Sequence, residues 1–584
     1  MIRTIYSNEL TSFKTLGFKP GLNILLADKS EGATDKQSRN GAGKSSFVEL
    51  VHFLFGSGAD QECVFRHKKL ENYSFSAVFE LAGSTVKVTR RGEKPSKIYI
   101  EAEQTDTWPI KPTRGKAGLS FTNEQWKLLL GNLMFGLPVD NEYKQRYLPK
   151  FRMLFSYFAR RANDNGFTEP TKYFDKQQTW DEQVAISYLL GLDCSIPQAF
   201  QEVREKEKTI AELKKIVKQG NMPEVLENAS DLKTRLTIVE DRAKKLKVQL
   251  DSFRVVPEYT ELEKEASKLT RKMNELANDN TSDRELLDKL QSSLEQEKPP
   301  AFANLDNLYQ EAGIVLPDNI VRRFEDVQVF HEKIVANRKA HLKAEMHSVA
   351  ERIENRDRNK TTIDRRRSEV MQVLQTGGAL EHYTGLQGEY SKMQAQVETL
   401  RQKLDVAEQI ERDKTSLTIE RAQLYRRLQD DYHERDEILK ESILIFENLS
   451  NSLYDKAGSL IVEPGQNGPH FEVKIDSQRS KGINNMQIFC FDLMLTELSH
   501  RHGIGPGFLI HDSHLFDGVD ERQKAKAFEL GHRKASELGI QYIVTMNSDD
   551  MPWDSFSSEF KINDYILSPR LADTENGGLF GIHF

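Results

Sequence analysis

The stretch SRNGAGKSSF, Ser38 to Phe47, has the composition of a loop that wraps an anion. Asn40, Gly41, Ala42, Gly43 and Ser46 would form the backbone cradle, because glycines let N–H groups approach phosphate oxygens. Lys44 would supply charge to the β- and γ-phosphates, and the Ser45 hydroxyl would join a magnesium shell. Ser38 stands where such a loop usually carries its first glycine. The second constellation lies near the other end of the chain, in FLIHDSHLFDGVDERQ, Phe508 to Gln523. An apolar strand there delivers Asp512, which would complete the magnesium site with Ser45. Neither half makes a site alone, so the chain must fold back to bring Lys44 near Asp512.

The elements that would position these residues are legible around them. An apolar strand, Leu22 to Ala27, precedes the loop and an apolar helix, Phe47 to Phe55, follows it, so the anion would meet a helix N-terminus. A helix from Asn484 to His500 follows Ser480-Lys481-Gly482, where a hydroxyl and a glycine amide suit a γ-phosphate. Further strand-like runs, Phe75 to Leu81, Thr85 to Arg90 and Lys97 to Glu101, make residues 1–195 an α/β lobe. Residues 446–584 return to strand-like sequence at Ser459 to Glu463, His470 to Ile475 and Tyr542 to Thr545.

Between the lobes, residues 196–445 are helical in pattern. Leu232, Leu236, Val239, Ala243, Leu246 and Leu250 alternate by four and three, and the spacing resumes at Leu262, Ala266, Leu269, Met273 and Leu276. This is the seam of a coiled coil. Pro299 and Pro300 end the first series, and a turn is expected over 299–317. Return seams follow at Leu342, Met346, Val349, Ile353, Ile363, Val370 and Leu374, then at Leu386, Tyr390, Met393, Val397, Leu400, Leu404 and Ala407, with Arg356, Lys360 and Arg367 at intervening positions. The pattern predicts an antiparallel arm, whose outgoing strand of about 100 residues would reach on the order of 150 Å. Pro257 and Gly377-Gly378 break the two strands at similar distances from the turn and suggest a joint.

Composition narrows the function classes. Over 584 residues the formal net charge is -7, so any nucleic-acid contact must come from a local patch. The candidates are Arg90-Arg91, Arg160-Arg161, Arg322-Arg323 and Arg365-Arg366-Arg367, the lobe pairs being better placed than the arm clusters. Such clusters are more often solvated or seam-flanking charges. Cys63, Cys194 and Cys490 form no CxxC pair, which argues against a disulfide framework and a paired-cysteine zinc site. No apolar stretch is long enough to span a membrane and MIRTIYSNEL lacks a signal-peptide core, so a cytoplasmic protein with no membrane partner is expected. No acidic cluster suggests a nuclease, so cutting would belong to a partner.

The order of phosphate loop, arm, return arm, signature segment and magnesium aspartate resembles the structural maintenance of chromosomes (SMC) type of ABC ATPase. NELTSFKTLGFKPGLNILLAD, SRNGAGKSSFVELVHFLFG, VQVFHEKIVANRKAHL and IHDSHLFDGVDERQ look more narrowly like the SMC-like ATPase of bacterial ABC three-component conflict systems, near the Lamassu-type antiphage subunits. The resemblance implies an ABC-type (P-loop NTPase) head assembled from N- and C-terminal lobes, with a long antiparallel coiled-coil arm inserted between them. It implies ATP and Mg2+ as cofactors and homodimerisation through the heads, with Lys44 and Ser45 of one head facing Ser480 and Gly482 of the other. Asp520 would lie where heads touch. The implied partners are double-stranded DNA, a defence effector such as a nuclease, and a small accessory subunit encoded nearby.

Two departures from that family bear on chemistry. Ser513, followed by His514, occupies the place of the glutamate that orients the attacking water. Asn547 ends the strand on which a switch histidine is usual. Slow hydrolysis is expected, with Asp517 or His514 as substitutes for the missing carboxylate. Gln177 and Gln178 are the candidates for the glutamine that links nucleotide to arm.

Overall fold

The computed structural model describes residues 1–28, 43–116, 118–139, 146–219, 228–253, 257–296, 324–374, 380–454, 458–474, 481–572, 574 and 576–582. Residues 1–203 and 420–584 form one compact unit, the head; residues 204–301 and 324–419 form a second, the arm.

The first lobe of the head contributes β1 (Ile2–Tyr6), β2 (Leu16–Gly17), β3 (Gly21–Asp28), α1 (Lys44–Leu54), β4 (Ser74–Leu81), β5 (Ser84–Arg91), β6 (Lys97–Ala102), β7 (Thr113–Gly115) and β8 (Gly118–Thr122). Helices α2 (Asn123–Phe135), α3 (Phe151–Phe155), α4 (Thr179–Leu190) and α5 (Ser195–Gln219) follow. The helices α6 (Ala229–Ser252), α7 (Pro257–Gln296), α8 (Phe324–Leu374) and α9 (Leu380–Glu434) come next. The chain then adds α10 (Asp436–Leu453), β9 (Ser459–Gly465), β10 (Gly468–Lys474), α11 (Lys481–Arg501), β11 (Phe508–His511), α12 (Glu521–Leu538), β12 (Gln541–Asn547) and β13 (Leu571–Ala572).

Seven strands of the first lobe form an antiparallel sheet in the order β2-β1-β4-β5-β6-β8-β7. The sheet that matters for the site is parallel and composite, in the order β11-β12-β3-β13. β3, from the start of the chain, lies between two strands from its end, with Thr545 opposite Leu25 and Asn547 opposite Ala27. All six interior residues of β3 are buried, as a parallel strand covered on both faces requires. The Gln541 amide locks the join, accepting from Ile2 N at 2.6 Å and donating to Ile2 O at 2.7 Å. The head is therefore built from both ends of the chain, as the expected ABC-type architecture requires, with the helical arm inserted between them in sequence.

Within the arm, α7 packs along α8, and the apolar seam places Ala266 against Val370 and Leu374. Leu232 and Leu236 of α6 pack with Leu404 and Ala407 of α9. Ion pairs cross the seams at Glu240–Arg401 (2.7 Å), Glu265–Arg366 (2.9 Å) and Asp283–Arg352 (3.0 Å). Partner numbers fall as the outgoing numbers rise, so the pairing is antiparallel. α6 ends at Ser252 and α9 begins at Leu380, and the Phe253 ring packs against those of His382 and Tyr383. The expected turn over 299–317 and Gly377-Gly378 lie outside the described residues. Among the described residues no helix is long and apolar enough to cross a membrane.

Candidate functional site

The phosphate half is built at the junction of β3 and α1. Gly43 caps α1 at φ +86°, and a Cβ there would stand 2.8 Å from Leu579 Cβ, so both backbone and packing demand glycine. Asn40, Gly41 and Ala42 lie outside the described residues. Lys44 opens α1 with its side chain largely buried, and its Nζ donates to Asn547 Oδ1 at 2.5 Å. The Asn547 amide in turn donates to Asp550 Oδ2 at 2.6 Å. Ser45 and Ser46 are half-buried.

The carboxylate half sits at the end of β11. Asp512 is buried, and its Oδ1 accepts from Ser513 Oγ (3.0 Å), His514 Nδ1 (3.2 Å) and Thr545 Oγ1 (3.3 Å). Burial pushes the Asp512 carboxyl up, but His514, Ser45 and Ser513 outweigh it and hold it below the usual carboxylate range. The bond to Asp512 holds the His514 imidazole above its ordinary value, with nearby Lys44 opposing. Asp512 Oδ2 is buried without a hydrogen-bond partner among the described residues. An orphaned carboxylate oxygen beside a serine hydroxyl fits magnesium, which takes one or two protein oxygens and leaves its other positions to water and phosphate. Lys44, Ser45, Asp512, Ser513, His514 and Asn547 thus meet in one place.

The candidate signature segment at the start of α11 is tied to the loop after β11. Ser480 lies outside the described residues, whereas Gly482 is buried in the first turn of α11. A Cβ on Gly482 would come within 2.3 Å of Gly518 O, so packing within the chain already requires glycine there. Asn485 Nδ2 donates to His514 O (3.3 Å) and Asp517 O (3.1 Å). The Asp517 side chain faces Lys481 Nζ at 3.5 Å, whereas His514 bonds to Asp512. Asp520 caps α12, accepting from Arg522 N at 3.0 Å, and is exposed.

Several charged and polar residues have roles that local sequence did not announce. Arg160 is fully buried, with its guanidinium 2.7 Å from Asp492 Oδ1 and donating to the carbonyls of Gly166, Glu169, Pro170 and Lys172. Asp492 Oδ2 also meets His511 Nε2 at 3.3 Å, and His511 Nδ1 lies 3.0 Å from the Tyr542 hydroxyl. Burial pushes His511 below its ordinary value, so the neutral ring donates from Nε2 and accepts at Nδ1. Arg90 is likewise buried, donating to the carbonyls of Phe53, Ser57 and Pro95. Of the four candidate clusters for DNA contact, two therefore each lose a member to the interior: Arg90 and Arg160 are neither solvated nor free to reach DNA, being spent on internal carbonyls and, for Arg160, on Asp492. Arg91 pairs with Glu9, and Arg161 pairs with Glu49 and Asp164. The Gln177 amide nitrogen donates to Asp181 Oδ1 (2.6 Å) and Tyr157 OH (3.2 Å), and Gln178 Oε1 accepts from Trp180 Nε1 (2.7 Å). Neither glutamine is bonded to the residues gathered around Asp512.

Comparison with known proteins finds two family models that match segments of the chain, and distant likenesses that run along most of it. Residues 449–584 match a family described as an uncharacterised protein conserved in bacteria (DUF2326). Residues 285–411 match C-terminal domain 10 of the ABC-three component (ABC-3C) systems. The chain is 20% identical over 595 residues to the uncharacterized protein YydD of Bacillus subtilis (strain 168), spanning 97% of this chain and 96% of YydD. Among solved structures, the Smc head domain with a coiled coil and joint from Pyrococcus yayanosii covers 94% of this chain and 92% of its own at 13% identity, with a TM-score of 0.36. The Smc head domain with an extended coiled coil bound to the C-terminal domain of ScpA, from Pyrococcus furiosus, covers 94% and 90% at 10% identity, with a TM-score of 0.34.

Proposed function

We propose that this chain is an SMC-like, magnesium-dependent ATPase subunit of a multi-component prokaryotic system for antiphage or anti-plasmid defence. ATP would bind across Lys44, Ser45 and the loop Asn40–Gly43, with Mg2+ held by Ser45 and Asp512. The observation that carries the reading is the meeting of Lys44, Ser45, Asp512 and Asn547 from opposite ends of the chain, with Asp512 Oδ2 left unpaired. Head dimerisation would add the signature segment of a second copy, Ser480 and Gly482, to the γ-phosphate, with Asp520 at the head contact. DNA ends or foreign DNA would be sensed in that state, and an effector with a small accessory subunit would respond. The arm's similarity to a domain named for ABC-three component systems supports the multi-component assignment.

Hydrolysis would be slow, because Ser513 offers a hydroxyl where a carboxylate would orient water. His514 is the better substitute, since it is held on Asp512 while the Asp517 carboxylate faces Lys481. A second reading, a nucleotide-gated scaffold with negligible turnover, is favoured by the same serine. Titration of a fluorescent ATP analogue against wild type and Lys44→Ala tests the core claim. Binding lost by at least tenfold in the variant is expected; equal affinity would sink the assignment. Phosphate release with and without DNA ends then separates the ATPase from the scaffold.

A further inference from the structure

The first turn of α11 and the loop leaving β11 are joined by contacts that an ordinary helix start would not need. Asn485 is buried, and its amide nitrogen divides both protons between the carbonyls of His514 and Asp517. Its Oδ1 is buried without a partner among the described residues, so the side chain is committed to this loop rather than to its own helix. Gly482 packs against Gly518 at a distance that forbids any side chain, and Lys481 reaches Asp517. The loop so held carries Ser513 and His514, both bonded to Asp512. A buried amide with two acceptors fixes relative position more tightly than apolar packing, because moving either segment leaves polar groups unpaired in a dry site.

We propose that Asn485 is a positioning residue that couples the two nucleotide sites of a head pair. This rests on the dimer reading above. The start of α11 would meet the γ-phosphate bound by the opposite head, whereas His514 and Asp512 serve the head's own nucleotide. Through Asn485 a shift at the first contact moves the loop at the second, so nucleotide at one site favours the competent geometry of the other. Removing the amide uncouples the sites while leaving the side chains of His514, Asp512, Lys44 and Ser45 in place.

The test uses the full chain with a fluorescent ATP analogue and Mg2+, reading the binding isotherm, the sedimentation of the dimer and the thermal midpoint. Wild type should bind with a Hill coefficient clearly above 1, the ceiling for two sites being about 2. Asn485→Ala should still dimerise with nucleotide, at a thermal midpoint close to wild type, but with the coefficient reduced to about 1. A coefficient unchanged in a folded Asn485→Ala overturns the proposal. Should that variant fail to fold, Asn485→Leu, close in size and without the amide, must likewise lower the coefficient to about 1; an unchanged value overturns the proposal equally. A wild-type chain that dimerises but binds with a coefficient of 1 refutes the coupling and leaves the dimer reading standing. A wild-type chain that binds nucleotide without dimerising refutes both.

Discussion

His514 and Asp517 entered as equal candidates for orienting water, and their partners now separate them. His514 donates to the carboxylate that would hold magnesium, and Asp517 answers to Lys481. His514→Ala should lower steady-state phosphate release by roughly 10²-fold or more, the usual cost of losing a positioned acid–base group. Asp517→Asn should change it by no more than about threefold, the effect of an exposed pair. The reverse order would return the role to Asp517. Ser513→Glu should raise turnover if the missing carboxylate is the only defect, and a fall in the same assay would show that Ser513 is needed as a donor to Asp512. Away from this site, another residue contributes a pH dependence of its own: burial pushes the Asp181 carboxyl up to about 7, against opposing bonds from Gln177 and Tyr173. Unfolded, the same group titrates near 3.8. The folded head therefore holds a proton that the unfolded chain has lost, and this group costs stability progressively as pH rises from about 4 to about 7. Asp181→Asn should raise the thermal midpoint relative to wild type at pH 8, with the gain shrinking by pH 5 and absent below pH 4. A gain that does not depend on pH would refute this account.

At the scale of elements, the phosphate-loop helix, the strand before it and the strand bearing Asp512 were all legible, because each is a short apolar run ending on residues with one plain chemical use. The heptad seams were legible from the alternation of apolar positions by four and three, but their register was not. Spacing alone does not say that Ala266 meets Val370 or that Asp283 takes both Arg352 and Arg356. Those arginines draw the Asp283 carboxyl down to about 2, and Asn280 is buried with its amide donating to Asp357 at 2.8 Å. Polar groups at such positions cost stability and select one alignment, which apolar periodicity cannot reveal. Glu265→Cys with Arg366→Cys, in a chain lacking Cys63 and Cys194, should therefore crosslink within one molecule through a short bifunctional reagent. Products found only between molecules, on a denaturing gel, would refute intramolecular pairing.

The molecule as a whole depends on joining two distant stretches of sequence, and the join is polar as well as apolar. β3 between β12 and β13 supplies the hydrogen-bonded part. The Arg160–Asp492–His511–Tyr542 network supplies a buried one, from the loop before α4 through α11 to β11 and β12. Local sequence hid it, since Arg160-Arg161 reads as a surface pair until the carbonyls that converge on Arg160 are seen. Removing one partner of a buried ion pair strands the other, at a cost of about 3–5 kcal/mol, whereas an apolar replacement of both is often near neutral. Here that second rule should fail. Arg160 also satisfies the carbonyls of Gly166, Glu169, Pro170 and Lys172, and no leucine can do so. Asp492→Ala should thus destabilise the head by about 3–5 kcal/mol in urea unfolding followed by intrinsic fluorescence. The double replacement Arg160→Leu with Asp492→Leu should recover less than half of that loss. Full recovery would mean that the arginine serves only its carboxylate partner and that the loop of residues 161–172 keeps its shape without it.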